Sequence, residues 1–336
     1  MIDLAGQMRS WSVHAVGELP QAMQLIAAPT PVVTAGQLLV RVRACGINFA
    51  DVLLCRGGYQ WRASLPFTPG LEVCGQVIDA AAGFESFIDT RIAGPTALPS
   101  GGLAEFCLVP ASQIHRVPAG MTDAEAAALT ISYETAWFAL FDRAQAQAGE
   151  SVLIHAGAGA LGAAAIQLAR AAGLKTFVTA GGPEKVRVCR ELGADLAIDY
   201  LHDSFVDAIK QATDGRGVDI VLDSVGGQVF GDSVRVIANR GRVVVLGFSS
   251  GEIPSLAVNR LLLKNCSVMG MQVDWFRTND RATAERCREH LATLLASGAL
   301  KPRVGREFDF ESAPQALIAT ARRATIGKSV VVLSER

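Results

Sequence analysis

The sequence predicts an α/β protein in which a doubly wound parallel sheet is joined to a compact β-rich region. Three observations carry this. From about 149 to 272, short β-branched runs alternate with helical patterns. Before about 125, the β-rich runs are short and separated by Gly/Pro turns, without that alternation. Residues Val152 to Gly162, VLIHAGAGALG, pass from strand to glycine turn to helix within a dozen positions.

At 336 residues the chain has room for about two domains. Hydrophobic residues are 50% and charged residues 19%, which supports a large core and argues against disorder. The net charge of -1, with no blocks of like charge, points away from nucleic acid or an anionic membrane as main partner. The start, MIDLAGQMRSW, has an acid at position 3 and no long apolar run, so it does not read as a signal peptide. No window holds the roughly 18 uninterrupted apolar residues of a membrane span. The seven cysteines (45, 55, 74, 107, 189, 266, 287) form no C-x-x-C pair and read as reduced, buried thiols of a cytoplasmic protein.

In chain order, Leu38–Ala44, Glu72–Ile78 and Ala104–Val109 read as strands of an antiparallel domain. Pro66, Pro69–Gly70 and Gly101–Gly102 supply its turns. Helical patterns at 123–129 and 132–147 lead into the alternating region. Its strands are Val152–His155, Thr176–Thr179, Leu196–Ile198, Asp219–Leu222, Arg242–Leu246 and Ser267–Met271. Helical patterns near 161–172, 184–192, 204–213, 228–237 and 256–263 lie between them. The order of these strands in the sheet is not readable. After 273 come a helix (Arg281–Ser297), the stretch Arg303–Phe310, a helix near 312–323 and a strand Ser329–Leu333. The expected division is therefore 1–127, 128–272, and a return over 273–336 that completes the first domain.

Gly157, Gly159 and Gly162 form G-x-G-x-x-G, and apolar positions Leu161, Ala165, Leu168 and Ala172 follow at helical spacing. The string alone is common, and its context makes it a dinucleotide fingerprint. Gly157 permits the tight turn, Gly159 lets backbone approach a pyrophosphate, and Gly162 lets helix and strand pack closely. Ala160 and Leu161 open the helix whose free N–H groups favour an anion.

Several long motifs then resemble one family throughout: VRVRACGINFADVLLCRGGY (40–59), PFTPGLEVCGQV (66–77), LTISYETAWFAL (129–140), VLIHAGAGALGAAAIQLARAAG (152–173) and GRGVDIVLDSVGG (215–227). GRVVVLGFSSGEIPSLAVNRLLLKNCSVMG (241–270) and RRATIGKSVV (322–331) add to them. The chain resembles the zinc-free quinone oxidoreductase branch of the medium-chain dehydrogenase/reductase superfamily. The resemblance implies a Rossmann domain, a GroES-like catalytic domain, and a homodimer in which strand Ser267–Met271 pairs with its copy.

Zinc-dependent members place a metal-binding Cys and His where this chain has Asn48 and Leu71. An amide is a poor zinc ligand and leucine is none, so no metal is expected. Without a Lewis acid, alkoxide stabilisation is hard, which favours acceptors that are already electrophilic, quinones or enones.

An NAD site carries an acid at the end of the second strand, whereas here that strand ends Thr179-Ala180-Gly181-Gly182. By resemblance Lys185, Tyr200 and Arg323 surround the 2′-phosphate of NADPH. Taken singly, Lys185 and Arg323 read equally as solvated surface cations. The resemblance also implies that Thr135, Val225, Gly247 and Phe248 shape the nicotinamide pocket. Asn48, Asp51 and Tyr59 would line the reacting end. Asn48 would bond the ribose or the substrate oxygen. Asp51 reads equally as an orienting group or as a turn or cap carboxylate. Tyr59 is the candidate proton donor for an enoyl substrate.

The function expected is NADPH-dependent quinone reduction. An enone or enoyl-thioester reductase and a non-catalytic NADPH-binding protein stand as alternatives.

Overall fold

The computed structural model describes residues 6–334. They form two compact units: one runs to Ile131 and resumes at Pro302, and the other spans Ser132–Lys301. The C-terminal return thus begins at Pro302, not at 273. Helices Val273–Asn279 and Arg281–Ala296 stay with the second unit because their side chains pack there. Phe276 stacks on Phe138 with ring centroids 4.4 Å apart, and the Trp137 indole donates to His290 Nδ1 at 2.9 Å.

In the second unit a six-stranded parallel sheet runs in the spatial order Leu196–Asp199, Lys175–Ala180, Ser151–Ile154, Val218–Asp223, Ile237–Val245, Ser267–Gly270. In order along the chain this is 3-2-1-4-5-6, the doubly wound arrangement in which a dinucleotide sits at the carboxyl ends of the central strands. The central strands are wholly buried, Val152, Leu153, Ile220 and Val221 among them, as a sheet covered on both faces requires. The fifth strand starts five residues earlier than its β-branched run suggests, at Ile237 rather than Arg242. The helical pattern at 132–147 divides into an α-helix, Thr130–Trp137, and a wider π-type turn, Phe138–Arg143.

In the first unit, strand Gln37–Ile47 is the spine of a seven-stranded sheet. It pairs with Glu72–Ala80, Phe106–Pro110 and the C-terminal strand Lys328–Val332, all antiparallel. Strand Val304–Asp309 extends the sheet beyond the C-terminal strand in parallel. A helix that sequence patterning did not indicate, Phe49–Arg56, follows the spine directly and ends at Gly57 with φ +74°. All seven cysteines are buried and unbridged. Burial pushes the thiols of Cys55 and Cys189 up to about 12, so they pack as small apolar groups and are poor nucleophiles at neutral pH. No helix is long and apolar enough to cross a membrane, among the described residues.

Candidate functional site

In the second unit the glycine loop leaves the end of Ser151–Ile154 and enters helix Ala160–Ala171. A Cβ on Gly157 would stand 1.9 Å from Val178 Cγ1, and one on Gly162 would stand 2.4 Å from the Ala156 carbonyl oxygen. Loop, neighbouring strand and helix approach so closely that only glycine fits at these two positions. At Gly159 a Cβ would stand 3.4 Å from the Ala156 carbonyl oxygen, an ordinary contact, so this position is less crowded than the other two. Gly159, Ala160 and Leu161 are partly exposed, whereas 162–169 are buried, so the first helical turn offers its N–H groups outward. Ala156 holds φ +54°, a left-handed conformation that costs a non-glycine residue about 1 kcal/mol. These features fit a dinucleotide pyrophosphate.

His155, just before the loop, is buried behind it. Its Nδ1 meets the Thr179 hydroxyl at 2.9 Å and its Nε2 meets the Ser233 hydroxyl at 2.8 Å. Ser233 gives its own proton to the Val229 carbonyl at 2.7 Å, so it accepts from His155 Nε2–H. Nδ1 is then the acceptor of the Thr179 proton. This ring is neutral: burial lowers its pKa to about 4, opposed only by the nearby Asp223 charge. Thr179, expected at the cofactor, is itself buried. Its hydroxyl serves His155, and its carbonyl accepts the Gly157 N–H at 3.0 Å.

The second strand ends at Gly181-Gly182, and the Tyr200 hydroxyl lies over Gly181. Asp199 pins this turn by accepting from Gly182 N at 2.8 Å and Leu201 N at 3.1 Å. Lys185 lies in the first turns of the following helix, Pro183–Glu191, and is half-buried. Arg323 is exposed and belongs to the first unit. Asp223 folds the next loop, accepting from Val225 N at 2.8 Å and Gly226 N at 3.0 Å. Val225 in turn accepts from Ser250 N at 2.9 Å, which brings the Gly247–Phe248 segment alongside it. Thr135 is the one residue of 132–140 that is not buried.

In the first unit, Asn48 and Asp51 meet at the start of helix Phe49–Arg56. Asp51 is fully buried and spends its oxygens on backbone: Asn48 N at 2.8 Å, Gly70 N at 2.9 Å and Leu71 N at 3.0 Å. It clamps the helix start to the Pro69–Leu71 turn. Burial raises its pKa to about 6, although these N–H groups pull the other way. Tyr59 follows two residues after Gly57, half-buried, with its ring edge-on to Trp61 at 5.7 Å. Among the described residues, no three His, Cys, Asp or Glu side chains gather as a metal site.

Two residues absent from the sequence-based list complete the Asn48 environment. Glu72, fully buried, takes Asn48 Nδ2–H at 2.9 Å on Oε1 and Ile131 N–H at 2.9 Å on Oε2. Lys328, 2% exposed, donates to the same Glu72 Oε1 and to Asn48 Oδ1 at 2.6 Å. The signal was present in both sequences, PGLEVCG and IGKSVVV, as a charge inside an apolar run that requires a buried partner.

The zinc-binding dehydrogenase family matches residues 160–286, and the alcohol dehydrogenase GroES-like domain matches 34–119. Quinone oxidoreductase-like protein 2 of Rattus norvegicus is 37% identical over 331 residues, covering 98% of this chain and 94% of its own. The quinone oxidoreductase of Thermus thermophilus, solved also as its NADPH complex, superposes with TM-score 0.83 at 36% identity, over 97% of this chain and all (100%) of that one. The enoyl reductase CurK superposes with TM-score 0.87 at 25% identity, over 98% and 100% of the two chains.

The neutral His155 sets a pH expectation. Its pKa is lower folded (about 4) than unfolded (6.5), so the stability it contributes is full above 6.5 and is lost as pH falls toward 4. Between pH 7 and pH 5 that loss is about 2 kcal/mol. Asp51 has the opposite sign, its contribution fading as pH rises through about 6, so the comparison must be with a variant at 155 alone. In urea melts at the two pH values, His155→Gln should lose about 2 kcal/mol less than the wild type. Equal losses would show that the ring titrates normally in the folded chain.

Proposed function

Because the chain belongs to the quinone oxidoreductase branch of the medium-chain dehydrogenase/reductase superfamily, we propose that it transfers hydride from NADPH to a quinone-type acceptor without zinc. It is an oxidoreductase of that family. The observation that carries the cofactor reading is the second strand's ending in Gly181-Gly182, with Tyr200 over it and Lys185 one turn on. The second strand itself ends without an acid, the one nearby carboxylate, Asp199, is engaged by the Gly182 and Leu201 N–H groups, and a 2′-phosphate would find a cation and a hydroxyl. The solved relative from Thermus thermophilus, named for its NADPH complex, supports the same choice. When bound, NADPH supplies the hydride from its nicotinamide C4. The glycine loop and the first turn of helix Ala160–Ala171 would hold its pyrophosphate. Thr135, Val225, Gly247 and Phe248 would bound the nicotinamide. Asn48 would address the acceptor oxygen.

Lys185→Ala should weaken NADPH binding by about 1.5–3 kcal/mol and leave NADH nearly unchanged, read by fluorescence titration of both. Equal weakening of the two would make Lys185 structural and the phosphate assignment wrong.

The likeness to an enoyl reductase favours a second reading, reduction of an enone or enoyl thioester. Tyr59 separates the two. A hydroquinone anion is delocalised and water can protonate it, so Tyr59→Phe should alter quinone reduction by less than about tenfold. An enolate needs a positioned acid, and there the loss should be about 10²–10⁴-fold. Single-turnover oxidation of NADPH by a quinone, an enone and an enoyl thioester decides this. Collapse of quinone reduction in the variant, with NADPH still bound, would overturn the assignment.

A homodimer fits the sheet edge. Strand Ser267–Gly270 has a neighbour on one side only, and Val258, Leu262 and Leu263 beside it are 75%, 77% and 75% exposed. An open edge next to exposed apolar side chains invites a second copy. Light scattering should give twice the chain mass, and a species of single mass at micromolar concentration would refute the dimer.

A further inference from the structure

The C-terminal strand opens with a charge that the sheet has no structural need for. Lys328–Val332 is buried along its length, yet its first residue is a lysine with its ammonium in the interior. Two acceptors meet it, a Glu72 carboxylate oxygen and Asn48 Oδ1. Gly46 lies against them: a Cβ there would stand 2.1 Å from the Ala127 carbonyl oxygen and 3.0 Å from both Lys328 Cε and Glu72 Cγ.

This arrangement settles the Asn48 amide without ambiguity. An ammonium can only donate, so the atom facing Lys328 is the oxygen. A carboxylate can only accept, so the atom facing Glu72 is the nitrogen. The amide therefore has a positive charge on its oxygen and a negative charge on one of its N–H bonds. The ammonium draws electron density through the amide and makes the remaining N–H a stronger donor. That N–H has only a 3.4 Å contact with the Gly46 carbonyl, too long to hold it firmly. Asn48 is the one member of the cluster that is half-buried rather than buried, so it is the member a ligand can approach.

An ion pair this deep is weak evidence for stability, because apolar residues of similar size often do as well. We propose that Lys328 and Glu72 are positioning residues that lock and polarise the Asn48 amide as hydrogen-bond donor to the acceptor oxygen. The inference rests on the reduction reading. As the hydride of NADPH adds with its electron pair to the acceptor, negative charge develops on the acceptor oxygen. The Asn48 N–H stabilises that charge, and a proton from solvent neutralises it afterwards.

The test uses the full chain with Lys328→Met, Lys328→Arg and Asn48→Ala, and has two readouts. The first is the ¹⁵N-asparagine spectrum without acceptor. The chain has five asparagines, and the Asn48 amide pair is identified by its loss in Asn48→Ala. Its two protons should be widely separated and slow to exchange in the wild type. They should collapse toward the values of a solvated amide in Lys328→Met and hold in Lys328→Arg. The second is single-turnover hydride transfer to a quinone. Lys328→Met should slow it about 10–100-fold with NADPH affinity unchanged, short of the roughly 10²–10³-fold cost of removing such a donor outright. Lys328→Arg should recover much of the rate. In the Asn48→Ala background, Lys328→Met should cost little more, since it acts through the amide.

If Lys328→Met does not fold, Glu72→Gln, which keeps an acceptor for Ile131 N, carries the same expectations. An unchanged Asn48 amide pair in the folded variant, or a rate loss as large without Asn48 as with it, would overturn the proposal. A wild type that reduces no quinone or enone defeats the reduction reading instead, and the amide spectrum still decides whether Lys328 holds Asn48.

Discussion

The ion pair of Lys328 with Glu72 is the constraint around which its neighbours in the first unit are arranged. Its partners are 256 residues apart and both are buried. Two charges out of water cost several kcal/mol each, and removing either partner leaves the other stranded, typically a loss of about 3–5 kcal/mol. Neighbouring groups prevent that: Asn48 supplies a second acceptor, and the Ile131 N–H donates to the remaining Glu72 oxygen. The pair spans the discontinuity of the first unit: the acid is on a strand near residue 72, and its counter-charge arrives with the last strand, after the chain returns at Pro302.

The second unit solves a different problem, backbone crowding. Its glycine loop is squeezed between the end of one strand, the neighbouring strand and its own helix, so that Cβ atoms at 157 and 162 have no space. His155 supports that loop from behind. It ties the loop strand to Thr179 on the next strand and to Ser233 on helix Gly227–Val236, in a neutral network whose protons are all assigned by the Val229 carbonyl. The crowding that excludes side chains at 157 and 162 eases at Gly159, which is partly exposed. Compact packing and an exposed helix N-terminus are thus consequences of one turn.

Legibility from sequence followed the range of the interaction. Strand and helix alternation, and the glycines, are local signals, and the six strands of the parallel sheet lie on the β-branched runs, with the fifth starting five residues early at Ile237. Their spatial order is a long-range property and emerged only from the fold. The helical pattern at 132–147 holds through Trp137, but the ladder widens at Phe138, whose ring stacks on Phe276. The same stacking kept 273–301 in the second unit, against an expected boundary at 273. The motif marks Asn48 and Asp51 as candidates, whereas nothing local marks Glu72 and Lys328 as their neighbours. Each is a lone charge in an apolar strand, and nothing local pairs a glutamate in PGLEVCG with a lysine in IGKSVVV. For Asp51 the structure favours the cap and turn reading of its carboxylate, since its oxygens are engaged by three backbone N–H groups.

Reduction by direct hydride transfer, with protein dipoles in place of a Lewis acid, is the claim on which the functional account turns. The direct measurement is single-turnover oxidation of NADPH, deuterated at the transferring C4 position, by a quinone and the chelator-treated protein. The account predicts full activity after chelation and a primary kinetic isotope effect on the chemical step. Loss of activity that returns with added zinc, or NADPH oxidation with no isotope effect under chemistry-limited conditions, would contradict it.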